Sequence, residues 1–140
     1  MRRSIRRRRA DSARVEDYEV FEAIGEEGFT RLVSGFYKQV PSDDILGPMY
    51  PPAGLAGAEQ RLRDFLVGRF GGPARYVEQR GHPRLRMRHA PFPITEAARN
   101  RWLRLMTKSL DEAAFPREVD DMLRGFFDAV STMMINKPHS

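Results

Sequence analysis

The chain has 140 residues, 41% apolar and 31% charged, with no cysteine. That length suits one domain around a single core, and the missing cysteines exclude disulfides, thiol nucleophiles, thiolate-bound zinc and iron–sulfur clusters. The formal charge of +5 is unevenly placed: residues 1–14 carry seven arginines against Asp11, a balance of +6, which leaves −1 for everything after them. The expected organisation is therefore a basic arm over 1–14 and a nearly neutral domain over 15–140. The arm reads as a solvated, disordered leader. Its alternative is an electrostatic grip on nucleic acid or an anionic membrane surface. No run approaches the roughly 18 apolar residues of a membrane span, and no apolar stretch follows the arginines as in a secretory signal. A soluble, cytoplasmic protein is the expectation.

Helical periodicity organises the remainder. A short helix is predicted near 15–24. In 27–40, Phe29, Leu32, Val33, Phe36, Tyr37 and Val40 form one apolar stripe. The corner 41–54 is rich in Pro, Asp and Gly and reads as loop. In 55–70, Leu55, Ala58, Leu62, Phe65, Leu66 and Phe70 make a second face, stopped by Gly71-Gly72-Pro73. The stretch 71–94 shows little obvious helix beyond a short segment, Arg84 to Arg88, ending at His89. Thr95 is a natural N-cap for a helix over 96–115 with Trp102, Leu103, Met106 and Leu110 on one side. Pro116 begins a last helix over 117–135, striped by Val119, Met122, Leu123, Phe126, Phe127 and Val130. All ten prolines fall outside the four long segments, no stretch alternates as a strand should, and the fold class is all-α.

Loops as long as 71–94 are usually functional or held by something bound. Of the three histidines, His139 lies beside the chain end and reads as idle, and His82 precedes a proline and suits a surface or capping role. His89 closes its short helix, where a neutral imidazole nitrogen can ligate a metal or simply cap. One histidine without a neighbouring ligand makes no zinc site, and neither a nucleophile elbow nor a phosphate-binding glycine loop is present. Haem needs only one protein ligand, so it stays open. Five arginines, Arg75, Arg80, Arg84, Arg86 and Arg88, could mimic an RNA-binding patch, but the interleaved aromatics that stacking requires are few.

The run Gly71-Gly72-Pro73-x-x-Tyr76-x-x-x-Arg80-Gly81-His82-Pro83-x-Leu85-Arg86-x-Arg88-His89-x-Pro91-Phe92 closely resembles the group II truncated haemoglobins. Leu55-Ala56-Gly57-Ala58-Glu59 and Trp102 agree with the same family, and the resemblance runs from about Tyr18 to Asn136. It implies a shortened globin, a two-over-two helical sandwich around haem b, with His89 as proximal iron ligand. On the distal side it implies hydrogen-bond donors at Tyr37, Tyr50 and Trp102. Ala58 takes the position of the usual distal histidine. The pocket it implies is lined by Phe36, Pro51, Leu55, Ala58, Leu62, Phe65, Tyr76, Arg86, Met87, Phe92 and Met106, with Arg86 facing the propionates and Tyr76 assisting.

The implied function is binding of O2, and of CO and NO, at the iron. Donors aimed at the gas favour slow release and redox chemistry, such as NO oxidation or peroxidase-like turnover with an external electron donor, over bulk oxygen transport. Members of that family often self-associate, so the resemblance leaves a homo-oligomer open, and the sequence itself does not fix the oligomeric state. A helical binding module driven by residues 1–14 is the competing reading. By residue chemistry alone, Tyr37 and Trp102 read as core residues with a satisfied polar tip. Two positions depart from the family pattern. Glu26 follows Gly25 where paired glycines are common, which puts the turn there in question, and Phe70 replaces a common tryptophan, which implies altered packing at the haem edge.

Overall fold

Apolar stripes at helical spacing become helices once they can bury one face against each other. In the computed structural model, which describes residues 15–137, these helices are α1 (Val20–Gln39), α2 (Leu55–Arg69), α3 (Arg75–Arg80), α4 (Leu85–His89), α5 (Glu96–Ala113) and α6 (Arg117–Met133). Single 3₁₀ turns stand at Asp17–Glu19, Val40–Ser42, Gly47–Met49 and Pro52–Gly54. Among the described residues no strand forms, and the one extended pairing is an isolated bridge between Thr95 and Lys137. No described helix is long and apolar enough to cross a membrane. The arginine arm and His139 lie outside the described residues.

The helix predicted near 15–24 and the one over 27–40 prove to be two arms of α1 separated by a sharp break. Gly25 sits at φ 67° and ψ 177°, a region open in practice to glycine alone. One glycine makes the turn, so the second is dispensable there. Glu26 instead pairs with Arg75 at the start of α3 through two bonds of 2.7 and 2.8 Å. The corner after α1 is held by Asp43, whose Oδ2 accepts from the amides of Ile45 and Leu46 at 3.0 and 2.7 Å. Thr95 caps α5 as its sequence suggests, its Oγ1 accepting from the Ala98 amide at 3.0 Å. Pro116 is the extended residue before α6, which begins at Arg117.

Helix α1 packs on both α2 and α5, and α5 packs on α6. The α1–α5 crossing is close because Gly35 has no side chain: a Cβ there would lie 2.6 Å from Ser109 Oγ. That hydroxyl donates to the Leu32 carbonyl at 2.6 Å, and Gln39 Nε2 donates to the Leu105 carbonyl at 2.9 Å. Around this crossing the fully buried side chains of Phe29, Leu32, Val33, Phe36, Met106, Leu110, Leu123 and Phe127 form the core. Phe70 belongs to it as well, between Phe29 and Phe126 at ring distances of 6.1 and 5.0 Å. Its packing is therefore internal.

Alanine would improve helix propensity at position 35, yet Gly35→Ala is expected to cost about 1–3 kcal/mol by overpacking the crossing. Urea unfolding of Gly35→Ala, Ser109→Ala and the double variant checks the contact. The double variant recovers most of the Gly35→Ala loss, because the added methyl then occupies the space of the missing hydroxyl.

Candidate functional site

Where the helices diverge they leave a cavity of about 540 Å³, within the range of small-molecule and cofactor pockets. Its wall takes Tyr37 from α1; Met49, Tyr50 and Pro51 from the corner; and Ala58, Leu62 and Phe65 from α2. Tyr76 of α3, His89 of α4, Phe92 and Ile94 of the following loop, Trp102 of α5, and Phe126, Phe127 and Val130 of α6 complete it. The lining is aromatic and aliphatic with polar tips from few residues.

His89 is half-buried at the end of α4, its ring 6.4 Å from that of Phe92. Nδ1 lies 2.8 Å from the Leu85 carbonyl oxygen one turn earlier. A carbonyl can only accept, so Nδ1 carries a proton, and in the neutral imidazole the lone pair is then on Nε2. An imidazole so oriented is set up to ligate a metal through Nε2.

The second polar group is the trio Tyr37, Tyr50 and Trp102. Tyr37 and Tyr50 meet edge to face at 5.6 Å, and Phe36 supports the trio from behind at 4.9 Å from Tyr37 and 5.3 Å from Trp102. Burial pushes the Tyr37 phenol well above its ordinary value, and the neighbouring Tyr50 adds to the shift. Burial raises Tyr50 too, against hydrogen bonding with Tyr37 and Trp102 that pulls it down. Arg101, next to Trp102 in sequence, reaches Asp43 and Asp44 at 2.7 Å each and thereby ties the Tyr50 corner to α5. Burial of the Asp43 carboxyl is outweighed by the bonds from Leu46, Arg101 and Ile45, which hold it below the usual carboxylate range.

Four arginines border the cavity: Arg61, Arg80, Arg88 and Arg99. Arg88 is spent on the carbonyls of Pro83 and Arg80 at 2.7 and 2.8 Å, and Arg99 on Asp128 and Thr132 of α6 at 2.7 and 2.8 Å. Among the described residues Arg61 and Arg80 form no ion pair. An apolar slot with one free imidazole nitrogen, a separate donor cluster and two uncommitted guanidiniums fits an apolar macrocycle bearing a metal and two carboxylates, which is haem.

Several residues expected on the wall stand elsewhere. Phe36 and Met106 are fully buried behind it, in the α1–α5 packing, and Leu55 packs against the core at the start of α2. Arg86 turns outward, where its Nη1 donates to the carbonyls of Met133 and Ile135 and so caps the end of α6. Met87 is 59% exposed on the outer side of α4. The other expected positions, from Pro51 to Phe92, do border the cavity. Arg61, Arg80, Ile94 and Val130 were not anticipated. Arg61 lies one turn beyond Ala58 on the same face of α2, and that spacing was the available signal.

A raised phenol pKa means the neutral form is favoured in the folded state. Tyr37 and Tyr50 therefore contribute stability that is complete below the unfolded tyrosine value of about 10 and is lost as pH rises beyond it. Unfolding free energy measured from about pH 9 to 11 is expected to decline, and the decline should flatten in the Tyr37→Phe/Tyr50→Phe variant.

The comparisons agree with this geometry. Residues 19–136 match the family model for bacterial-like globins. The group 2 truncated hemoglobin YjbI of Bacillus subtilis is 38% identical over 117 residues, which is 84% of this chain and 88% of the relative. Among solved structures, a thermostable hemoglobin from the actinobacterium Thermobifida fusca superposes with a TM-score of 0.82 at 45% identity, covering 86% of this chain and 98% of that one. The truncated oxygen-avid haemoglobin from Bacillus subtilis gives 0.79 at 38% identity over 84% and 98% of the two chains. The all-α architecture is thus the two-over-two helical sandwich. The chain belongs to the bacterial-like globin family and, within it, to the group II truncated haemoglobins.

Proposed function

We propose that this globin binds haem b through His89 Nε2 and holds a diatomic gas, O2 first and also CO and NO, beneath Tyr37, Tyr50 and Trp102. The observation that carries the reading is the Nδ1 bond to the Leu85 carbonyl at 2.8 Å, which leaves Nε2 of a cavity-lining imidazole free to ligate. With no cysteine in the chain, the thioether attachment of a c-type haem has no partner, which agrees with haem b. When bound, the haem would supply the iron at which a gas is held. Arg61 and Arg80 at the rim would meet the propionates, with the charge-assisted bonds guanidinium groups make to carboxylates.

The donor trio works by being prepaid. Its phenols stay protonated across the physiological range, because burial disfavours the phenolate. Its rings are locked by mutual contact, so little ordering remains to be done when a gas arrives. Ala58 presents only a methyl group, which leaves hydrogen bonding to the trio. Slow release from three donors suits redox chemistry on the bound gas, with electrons from an outside donor, better than bulk transport. A relative described as oxygen-avid supports that direction.

Absorption spectra of the haem-supplemented protein in ferric, reduced and CO-bound forms test the reading. One haem per chain with a Soret band that moves on reduction and on CO is expected, and His89→Ala should lose that coordination. Normal coordination in His89→Ala sinks the assignment. Stopped-flow release of O2 from Trp102→Phe should be faster by one to two decades, the equivalent of a charge-assisted hydrogen bond of about 1.5–3 kcal/mol. An unchanged rate would reduce Trp102 to packing.

A further inference from the structure

Helix α4 presents His89 on five residues, far too few to stay helical by themselves in water. Its N-terminal neighbour Arg84 is left-handed at φ 44°, and the loop beyond His89 reaches α5 with no regular structure. Something outside the segment must set its position. The chain that does so is the end of α6.

Two side chains stitch the pair together from opposite ends. Arg86 of α4 donates to the Met133 and Ile135 carbonyls. In return Asn136 Nδ2 donates to the His89 carbonyl at 3.3 Å and to the Phe92 carbonyl at 2.9 Å, and its Oδ1 accepts from the Ile94 amide at 2.9 Å. The backbone amides of Asn136 and Lys137 both donate to the Ile94 carbonyl, at 3.0 and 3.1 Å. Asn136 therefore commits both amide protons and its oxygen to one stretch, 89–94. A carboxamide is the group that fits: it offers two donors and an acceptor on one short stem.

We propose that Asn136 is a positioning residue for His89, fixing the backbone from which the imidazole is presented to the cavity. The ring is held to that backbone by the Nδ1 bond to Leu85, so a shift of the His89 carbonyl is passed to the ring and to the strength of that bond. The strength of the Nδ1 bond in turn sets the basicity of Nε2 as a ligand. This inference rests on the reading of His89 as the iron ligand.

The test compares the haem-loaded full chain with Asn136→Ala, the isosteric Asn136→Asp, and Lys137→Ala as control, whose backbone bonds are retained. Two quantities are read: the iron–histidine stretching band of the reduced, gas-free protein by resonance Raman, and amide hydrogen exchange over residues 85–94. Both Asn136 variants should keep one haem per chain yet show a lowered, broadened band and exchange faster by about tenfold at 89–94. Asn136→Asp should be affected at least as strongly as Asn136→Ala, since it places a negative charge against two carbonyl oxygens. Lys137→Ala should match the wild type. Wild-type band and exchange in both Asn136 variants overturn the proposal. So does a shift in Asn136→Ala alone, which would make Asn136 a space-filler. Failure of the wild-type chain to take up haem strikes the His89 reading itself, and it is seen before any variant is compared.

Discussion

The close approach of α1 and α5 is the contact from which the rest of the molecule takes its dimensions. Gly35 removes the side chain that would hold the helices apart, and Ser109 and Gln39 spend their polar atoms on carbonyls of the opposite helix. The bonds fix how far the helices slide as well as how near they come. Directly after Gly35, Phe36 of α1 meets Trp102 of α5, and Tyr37 packs on Phe36. The donor trio is thus a by-product of a packing decision, and its rigidity is that of the core beneath it. A wider crossing would enlarge the cavity and at the same time separate its donors.

Three of the five arginines in the stretch before His89, with Arg99 beyond it, are engaged within the fold. Arg75 joins α3 to Glu26, Arg86 caps α6, Arg88 gathers the carbonyls of the loop before α4, and Arg99 spans to α6. Each planar guanidinium satisfies several acceptors at once, which a lysine ammonium does less precisely. They hold short, irregular segments that bury too little apolar surface to hold themselves. Arg61 and Arg80 remain uncommitted at the cavity rim.

The long helices were legible because their apolar spacing and caps are local signals: the stripe of α1, the Thr95 cap of α5 and the Gly-Gly-Pro stop after α2 all lie within a few residues of what they determine. Helix α3 was not legible. Its six residues offer only Tyr76 and Val77 as apolar groups, and Val77 stays half exposed. The site residues divide in the same way. His89 came from the spaced motif over 71–92, and Tyr37, Tyr50 and Trp102 from the family resemblance that motif carries; the structure gathers all four around one cavity. Phe36 and Tyr37 are consecutive on a helix of 3.6 residues per turn, so periodicity alone cannot say which faces the cavity and which the core. Arg86 was expected inward on the family resemblance, since it shares the short helix of His89. Its acceptors lie 47 and 49 positions later, and no local pattern announces them.

The bonds between the end of α6 and the loop after His89 also bear on how the protein is made. Tyr37, Tyr50, His89 and Trp102 all leave the ribosome before Met133, Ile135 and Asn136, the groups that secure the loop beneath the cavity. A nascent chain stopped after α5 would display an imidazole and three donors without the bonds from the end of α6 that hold α4 and the loop after it. The wall of the cavity is therefore completed last, by contacts made across dozens of residues and only once the final helix has been synthesised.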